Sequence, residues 1–106
     1  MNILFICSRN KWRSRTAETI FKNNQKHHVK SAGTENESRI KVTEKLINWA
    51  DLIFVMEKRH KERLTQKFAA LIDEKEIVTL DIKDDYKYMD NDLIDILETS
   101  VSPYLD

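Results

Sequence analysis

Short apolar runs that alternate with segments of helical spacing constrain this chain more than any other feature. Ile3-Leu4-Phe5-Ile6 and Leu52-Ile53-Phe54-Val55-Met56 are continuous apolar runs bounded by polar residues, the pattern of strands covered on both faces. Val29 to Ala32, ending at Gly33, and Ile77 to Leu80 make two further short strands. Between and after them, four segments carry apolar residues at i, i+3 and i+4 spacings: Ser14 to Asn24 (Ala17, Ile20, Phe21), Lys41 to Trp49 (Val42, Leu46, Ile47), Glu57 to Leu71 (Leu64, Phe68, Leu71) and Asp92 to Val101 (Leu93, Ile96, Leu97). The order β-α-β-α-β-α-β-α predicts an α/β fold, a four-stranded parallel sheet with helices on both faces. In such sheets ligands bind beyond the carboxyl ends of the strands. At 106 residues, with no repeat or linker, residues 1–106 are expected to form a single domain.

Composition narrows the class. Eighteen basic residues balance eighteen acidic ones, so no global charge favours nucleic acid or an anionic membrane surface. No apolar run approaches the roughly 20 residues needed to cross a bilayer. Met1 to Cys7 lacks the basic start of a secretory signal, so a cytoplasmic protein is expected. The single cysteine excludes an intramolecular disulfide framework and a zinc ribbon, and no metal or cofactor is expected. Charge is nevertheless uneven. Seven basic residues face one acid from Met1 to Lys30, and eight acids face two bases from Asp81 to Asp106. Solvated helix faces of opposite sign account for this, and so does an anion-binding loop set beside a proton-donating one.

The first strand runs directly into Cys7-Ser8-Arg9-Asn10-Lys11-Trp12-Arg13-Ser14, and a helix follows. A loop of this length entering a helix can turn successive N–H groups inward as a nest for a tetrahedral anion. The helix N-terminus adds free donors and partial positive charge. Arg13 can offer two parallel N–H bonds to phosphate oxygens. The same field favours a thiolate at Cys7 and makes it a nucleophile. Ser14 is placed to donate to that thiolate or to cap the helix. A buried structural cysteine is the plainer alternative for Cys7.

These residues resemble the loop Cys-x-Gly-Asn-x-Cys-Arg-Ser of the low-molecular-weight protein tyrosine phosphatases, through Cys7, Asn10, Arg13 and Ser14. Ser31-Ala32-Gly33-Thr34 and Ala50 to Met56 are similar to the family as well. The resemblance implies a phosphotyrosine protein phosphatase I-like fold and cysteinyl-phosphate chemistry. It makes Cys7 the nucleophile, Asn10 the loop-locking amide, Arg13 the phosphate clamp and Ser14 the donor to the thiolate. Ser8, Arg9, Lys11 and Trp12 complete the substrate-binding loop. Arg9 stands where the family has glycine, and Trp12 replaces the family's second cysteine, so the protective disulfide of that pair cannot form. The chain is also shorter than typical members between Gly33 and Asp51, and Thr34 to Arg39 is the expected mobile loop.

Such chemistry needs one carboxyl as acid and then base. The family draws an aspartate from an Asp-Pro-aromatic sequence after the fourth strand. Aligning the aromatic residue makes Asp84 the acid, Asp85 the proline's replacement and Tyr86 the aromatic wall of the substrate site. Asp81 and Asp85 remain alternatives for the acid, and core-edge packing remains one for Tyr86. His27, His28 and His60 are assigned no ligand role. The function implied is a phosphomonoester hydrolase acting on phosphotyrosine proteins, phosphoarginine or small phosphomonoesters. A noncatalytic phosphate-binding module is the alternative. An arsenate reductase-like enzyme is a further one, although its disulfide relay needs cysteines beyond Cys7.

Overall fold

The structure, a computed structural model, describes residues 1–105. Its elements are β1 (Asn2–Cys7), α1 (Arg13–Phe21), β2 (His28–Gly33), α2 (Glu44–Trp49), β3 (Leu52–Val55), α3 (Lys58–Ile72), β4 (Glu76–Thr79) and α4 (Asn91–Val101), with a 3-10 turn at Ser102–Tyr104. All eight expected elements are present in the expected order. Their ends differ where capping chemistry decides them. Glu57 is the N-cap of α3 rather than its first residue, because its side chain and that of His60 bond reciprocally to each other's backbone N–H groups. α2 starts at Glu44 because Thr43 Oγ1 accepts from the Leu46 N–H at 3.2 Å, while Lys41 stays extended in a bridge to Gly33.

The four strands are parallel in the order β2-β1-β3-β4. The period-2 alternation of side chains divides the core into two layers. Ile3, Phe5, Cys7 and Phe54 face the side covered by α1 and α4, where Phe5 stacks on Phe21 and Phe54 at 5.8 and 5.1 Å between ring centroids. Leu4, Ile6, Ile53 and Val55 face the side covered by α2 and α3, with Ile47, Leu64 and Ile72. Each such side chain, fully removed from water, contributes about 1.5–3 kcal/mol. The chain leaves β1 toward β2 on one side and later returns to β3 on the other. The carboxyl end of β1 is therefore the switch point where a crevice opens, and Cys7 is the last residue of β1. Among the described residues no helix is long and apolar enough to cross a membrane.

Candidate active site

The loop after β1 is shaped by bonds to its carbonyl groups. Cys7 O accepts from Thr34 N at 3.0 Å, Ser8 O from Glu35 N at 2.8 Å and from Ser38 Oγ at 3.1 Å, and Arg9 O from Arg39 N at 3.0 Å. Asn10 O accepts from Arg39 Nε at 3.2 Å. Four successive carbonyls thus point out toward the Thr34 to Arg39 segment. In a planar trans peptide the following N–H points the opposite way, so the amides of Ser8, Arg9, Asn10 and Lys11 turn inward. Among the described residues none of these four N–H groups has a protein acceptor. This is the geometry of an anion nest.

Two backbone positions make the bend possible. Asn10 has φ +56°, in the left-handed region that asparagine tolerates better than most residues. Gly33, the one glycine of the sequence, lies against the loop's backbone: a Cβ there would sit 2.7 Å from Ser8 O and 2.8 Å from the Arg9 carbonyl carbon. The Thr34 to Arg39 segment, expected to be mobile, is instead the brace of the loop. Its bonds run to main-chain oxygens some 27 to 30 residues away, which no side-chain pattern announces.

Beneath the loop lies a buried polar chain. Asn10 Nδ2 donates to Ser14 Oγ and to Ser31 Oγ, both at 2.8 Å. Ser31 Oγ in turn donates to the Glu18 carboxylate. Ser14 Oγ, which accepts from Asn10, lies 2.9 Å from Cys7 Sγ and 3.4 Å from Ala32 O, so the sulfur is the nearer partner of its proton. The chain runs unbroken from the Glu18 carboxylate through Ser31, Asn10 and Ser14 to the sulfur, and holds the Ser14 hydroxyl beside it. Glu18 and Ser31 escaped the sequence reading as site residues. Ser31 had a signal in the Ser31-Ala32-Gly33-Thr34 motif, and Glu18 had none.

Arg13 is almost wholly buried, at 2% exposure, and one nitrogen anchors it. Nη1 donates to Glu57 Oε1 at 2.5 Å and to Ile82 O at 2.8 Å. Nε and Nη2 make no protein hydrogen bond among the described residues, which leaves a parallel pair of donors for an oxyanion. Burial pushes the Glu57 carboxyl up, but hydrogen bonds from Arg13 and Arg59 outweigh it and hold the group below the usual carboxylate range. His60 Nδ1 accepts from Glu57 N at 3.0 Å, and Nε2 lies 3.0 Å from Ser8 Oγ, to which its proton donates. Burial first, then the nearby Arg13 and Arg59 charges, lower the His60 pKa from 6.5 to about 4. His60 is therefore a neutral strut under the loop. Sequence reasoning set it aside because no cysteine or histidine stands at metal-ligand spacing from it, and its actual partner, Ser8, lies 52 residues away.

Cys7, Ser8, Arg9, Lys11, Trp12, Arg13 and Asp84 line one hollow of about 440 Å³, with Glu35, Glu37 and Arg59 on its wall. Asn10 and Ser14, expected at the substrate, lie fully buried beneath the loop and act on it from below. Arg9 Nη2 lies 3.7 Å from the Glu37 carboxylate, which lines the same hollow. Of the three candidate aspartates only Asp84 borders the hollow, its Oδ1 3.6 Å from Arg13 Nε. Asp81 lines a separate depression with Lys83. Tyr86, expected as an aromatic wall, packs half-buried against the core layer and is not among the residues lining the hollow. Trp12 is the aromatic side chain that does border it.

Fold and site together define a parallel α/β protein with a thiol at the base of an anion-binding loop, at the sheet's switch point. Residues 2–49 match a family model described as low molecular weight phosphotyrosine protein phosphatase. The chain is similar in structure to the tyrosine phosphatase AmsI of Erwinia amylovora, at 20% identity over 98% of this chain and 90% of that one, with a TM-score of 0.79. It is similar to the tyrosine phosphatase Wzb of Escherichia coli K30, solved with phosphate, at 21% identity over 97% and 94%, TM-score 0.77. It is also similar to a YwlE mutant of Bacillus subtilis, at 21% identity over 100% and 99%, TM-score 0.73. No curated protein matches it by sequence. The chain shares the fold of these phosphatases over nearly its whole length, and residues 2–49 match the family model.

Proposed function

We propose that this protein is a cysteine-dependent phosphomonoester hydrolase, a protein tyrosine phosphatase comprising the single domain 1–106. The thiolate of Cys7 attacks phosphorus and forms the S–P bond, while the P–O ester bond breaks and its electron pair leaves on the phenolic oxygen. Asp84 protonates that oxygen. The inward amides of residues 8–11 and the Nε and Nη2 groups of Arg13 hold the equatorial oxygens, whose charge they stabilise most where it is most spread. Asp84, now a carboxylate, takes a proton from water as that water attacks phosphorus. The S–P bond breaks, inorganic phosphate departs and the thiolate returns.

What carries this reading is the inward set of free amides in the loop that begins at Cys7, whose sulfur lies 2.9 Å from Ser14 Oγ. No metal or cofactor is required by the scheme. A reduced thiol is, which fits a cytoplasmic setting. Hydrolysis of p-nitrophenyl phosphate by the purified chain tests it, with activity expected and its loss expected in Cys7→Ser. Phosphate binding without turnover would support the noncatalytic module in its place.

A further inference from the structure

The anion nest turns on Asn10, and Asn10 is held from two sides. Its φ of +56° lies in the left-handed region, where a residue with a side chain is strained. The peptide that follows carries two opposed groups: the Asn10 carbonyl, which points out of the nest, and the Lys11 N–H, which points in. A half-turn of that one peptide would exchange them and set a carbonyl oxygen against the anion. Beneath the loop the fully buried Asn10 side chain donates through Nδ2 to Ser31 Oγ at 2.8 Å. Outside it, the Asn10 carbonyl accepts from Arg39 Nε at 3.2 Å.

Both holds lead to one carboxylate. Ser31 Oγ donates to Glu18 Oε1, and Arg39 Nη2 lies 3.8 Å from that same oxygen. Asn10, Ser31, Glu18 and Arg39 thus close a ring around the bend, drawn from the loop, β2, α1 and the segment between β2 and α2. Arg39 also grips the preceding carbonyl, its main-chain N–H donating to Arg9 O at 3.0 Å. Any residue but proline can make that bond. The bond from Nε is the part that needs this side chain. A guanidinium on a carbonyl makes a charge-assisted hydrogen bond, and it polarises the peptide so that the N–H on its far side donates more strongly. Here that N–H belongs to Lys11, one of the four inward amides without a protein acceptor among the described residues. Arg39 itself is not among the residues lining the hollow.

We propose that Arg39 is a positioning residue for the anion-binding loop. From behind the loop it locks the Asn10–Lys11 peptide with its carbonyl outward, and through that peptide it strengthens the Lys11 N–H that meets an equatorial phosphate oxygen. This deepens the phosphatase reading and rests on it.

Two substitutions in the full chain separate the hydrogen bond from the charge. Arg39→Gln sets an amide N–H at the same distance along the side chain as Nε but carries no charge. Arg39→Met sets a methyl group there and donates nothing. By calorimetric titration, the Kd for inorganic phosphate is expected to rise about threefold in Arg39→Gln and about tenfold in Arg39→Met. KM for p-nitrophenyl phosphate rises with it, while kcat stays within about threefold. In proton–nitrogen correlation spectra, phosphate is expected to move the Lys11 amide proton downfield in the wild type, less in Arg39→Gln and least in Arg39→Met. The Ser8 amide, whose peptide is held by Thr34 and not by Arg39, moves equally in all three. Unchanged phosphate affinity in both variants overturns the proposal. So does equal weakening in both with the Lys11 shift retained, which is the mark of a distant charge, or a fall in kcat at unchanged KM. Should Arg39→Met fail to fold, Arg39→Gln decides alone: a weaker Kd with a smaller Lys11 shift supports the proposal, and any other result overturns it. Phosphate binding without p-nitrophenyl phosphate hydrolysis overturns the phosphatase reading instead, and the titration and spectra then decide Arg39 without turnover. A wild type that binds no phosphate overturns both.

Discussion

Replacing His60 by glutamine removes one titrating group from the base of the loop and changes the pH dependence of folding in a calculable way. In the folded protein His60 stays neutral down to about pH 4, held there by burial and by the Arg13 and Arg59 charges. Its Nδ1 must remain unprotonated to accept from the Glu57 N–H. In the unfolded chain the ring takes up a proton near pH 6.5. Between those two values the unfolded state binds a proton that the folded state refuses, so stability falls as pH falls. At about 1.4 kcal/mol per pH unit, the interval from 6.5 to about 4 amounts to about 3 kcal/mol, a large share of a domain's usual 5–15 kcal/mol. Above pH 6.5 this contribution is constant. Glutamine at the third helical position keeps the reciprocal capping bond but does not titrate. Urea denaturation of both proteins from pH 7.5 to pH 4 measures the difference. The wild type is expected to lose about 3 kcal/mol more than His60→Gln across the window, with parallel curves above it. Parallel curves throughout would refute a buried, neutral His60. Glu57, whose pKa is also lowered, loses stability in the same direction as pH falls through its folded value, and comparing the two proteins subtracts it.

Gly33→Ala forces a methyl group against the backbone at Ser8 and Arg9, so it is expected to destabilise the fold by about 1–3 kcal/mol and to weaken inorganic phosphate binding, read by thermal melting and titration calorimetry. Asp84→Asn is expected to lower p-nitrophenyl phosphate kcat by about 10²-fold with phosphate affinity retained, whereas Asp81→Asn and Asp85→Asn stay within about twofold. Ser14→Ala removes the hydroxyl 2.9 Å from the sulfur and is expected to slow Cys7 alkylation by iodoacetamide about fivefold at pH 7, followed by mass spectrometry.

The architecture was legible because each strand and helix announces itself locally. Ile3 to Ile6 and Leu52 to Met56 admit few positions other than buried strands, and alternation then dictates a parallel sheet and its switch point. That Cys7 and Arg13 share one hollow was legible because the length of the loop between β1 and α1 brings its two ends together. The braces of the loop were not. Thr34, Glu35, Ser38 and Arg39 act on carbonyl oxygens, which every residue has, and His60 acts through a serine distant in sequence. Tyr86 was misplaced for a related reason. An aromatic residue beside an acidic loop suits a substrate wall and a core edge equally, and only the packing of the core layer decides between them.

Acid-quenched Asp84→Asn protein, taken during turnover of p-nitrophenyl phosphate, offers the most direct measurement. Its good leaving group needs no protonation, so the first step proceeds while the second is slowed. Peptide mapping is expected to find one phosphoryl group, about 80 Da, on the Cys7 peptide, and none in Cys7→Ala. A phosphoryl group on Ser8 or Ser14, or turnover with Cys7 unmodified at every time point, would contradict the account.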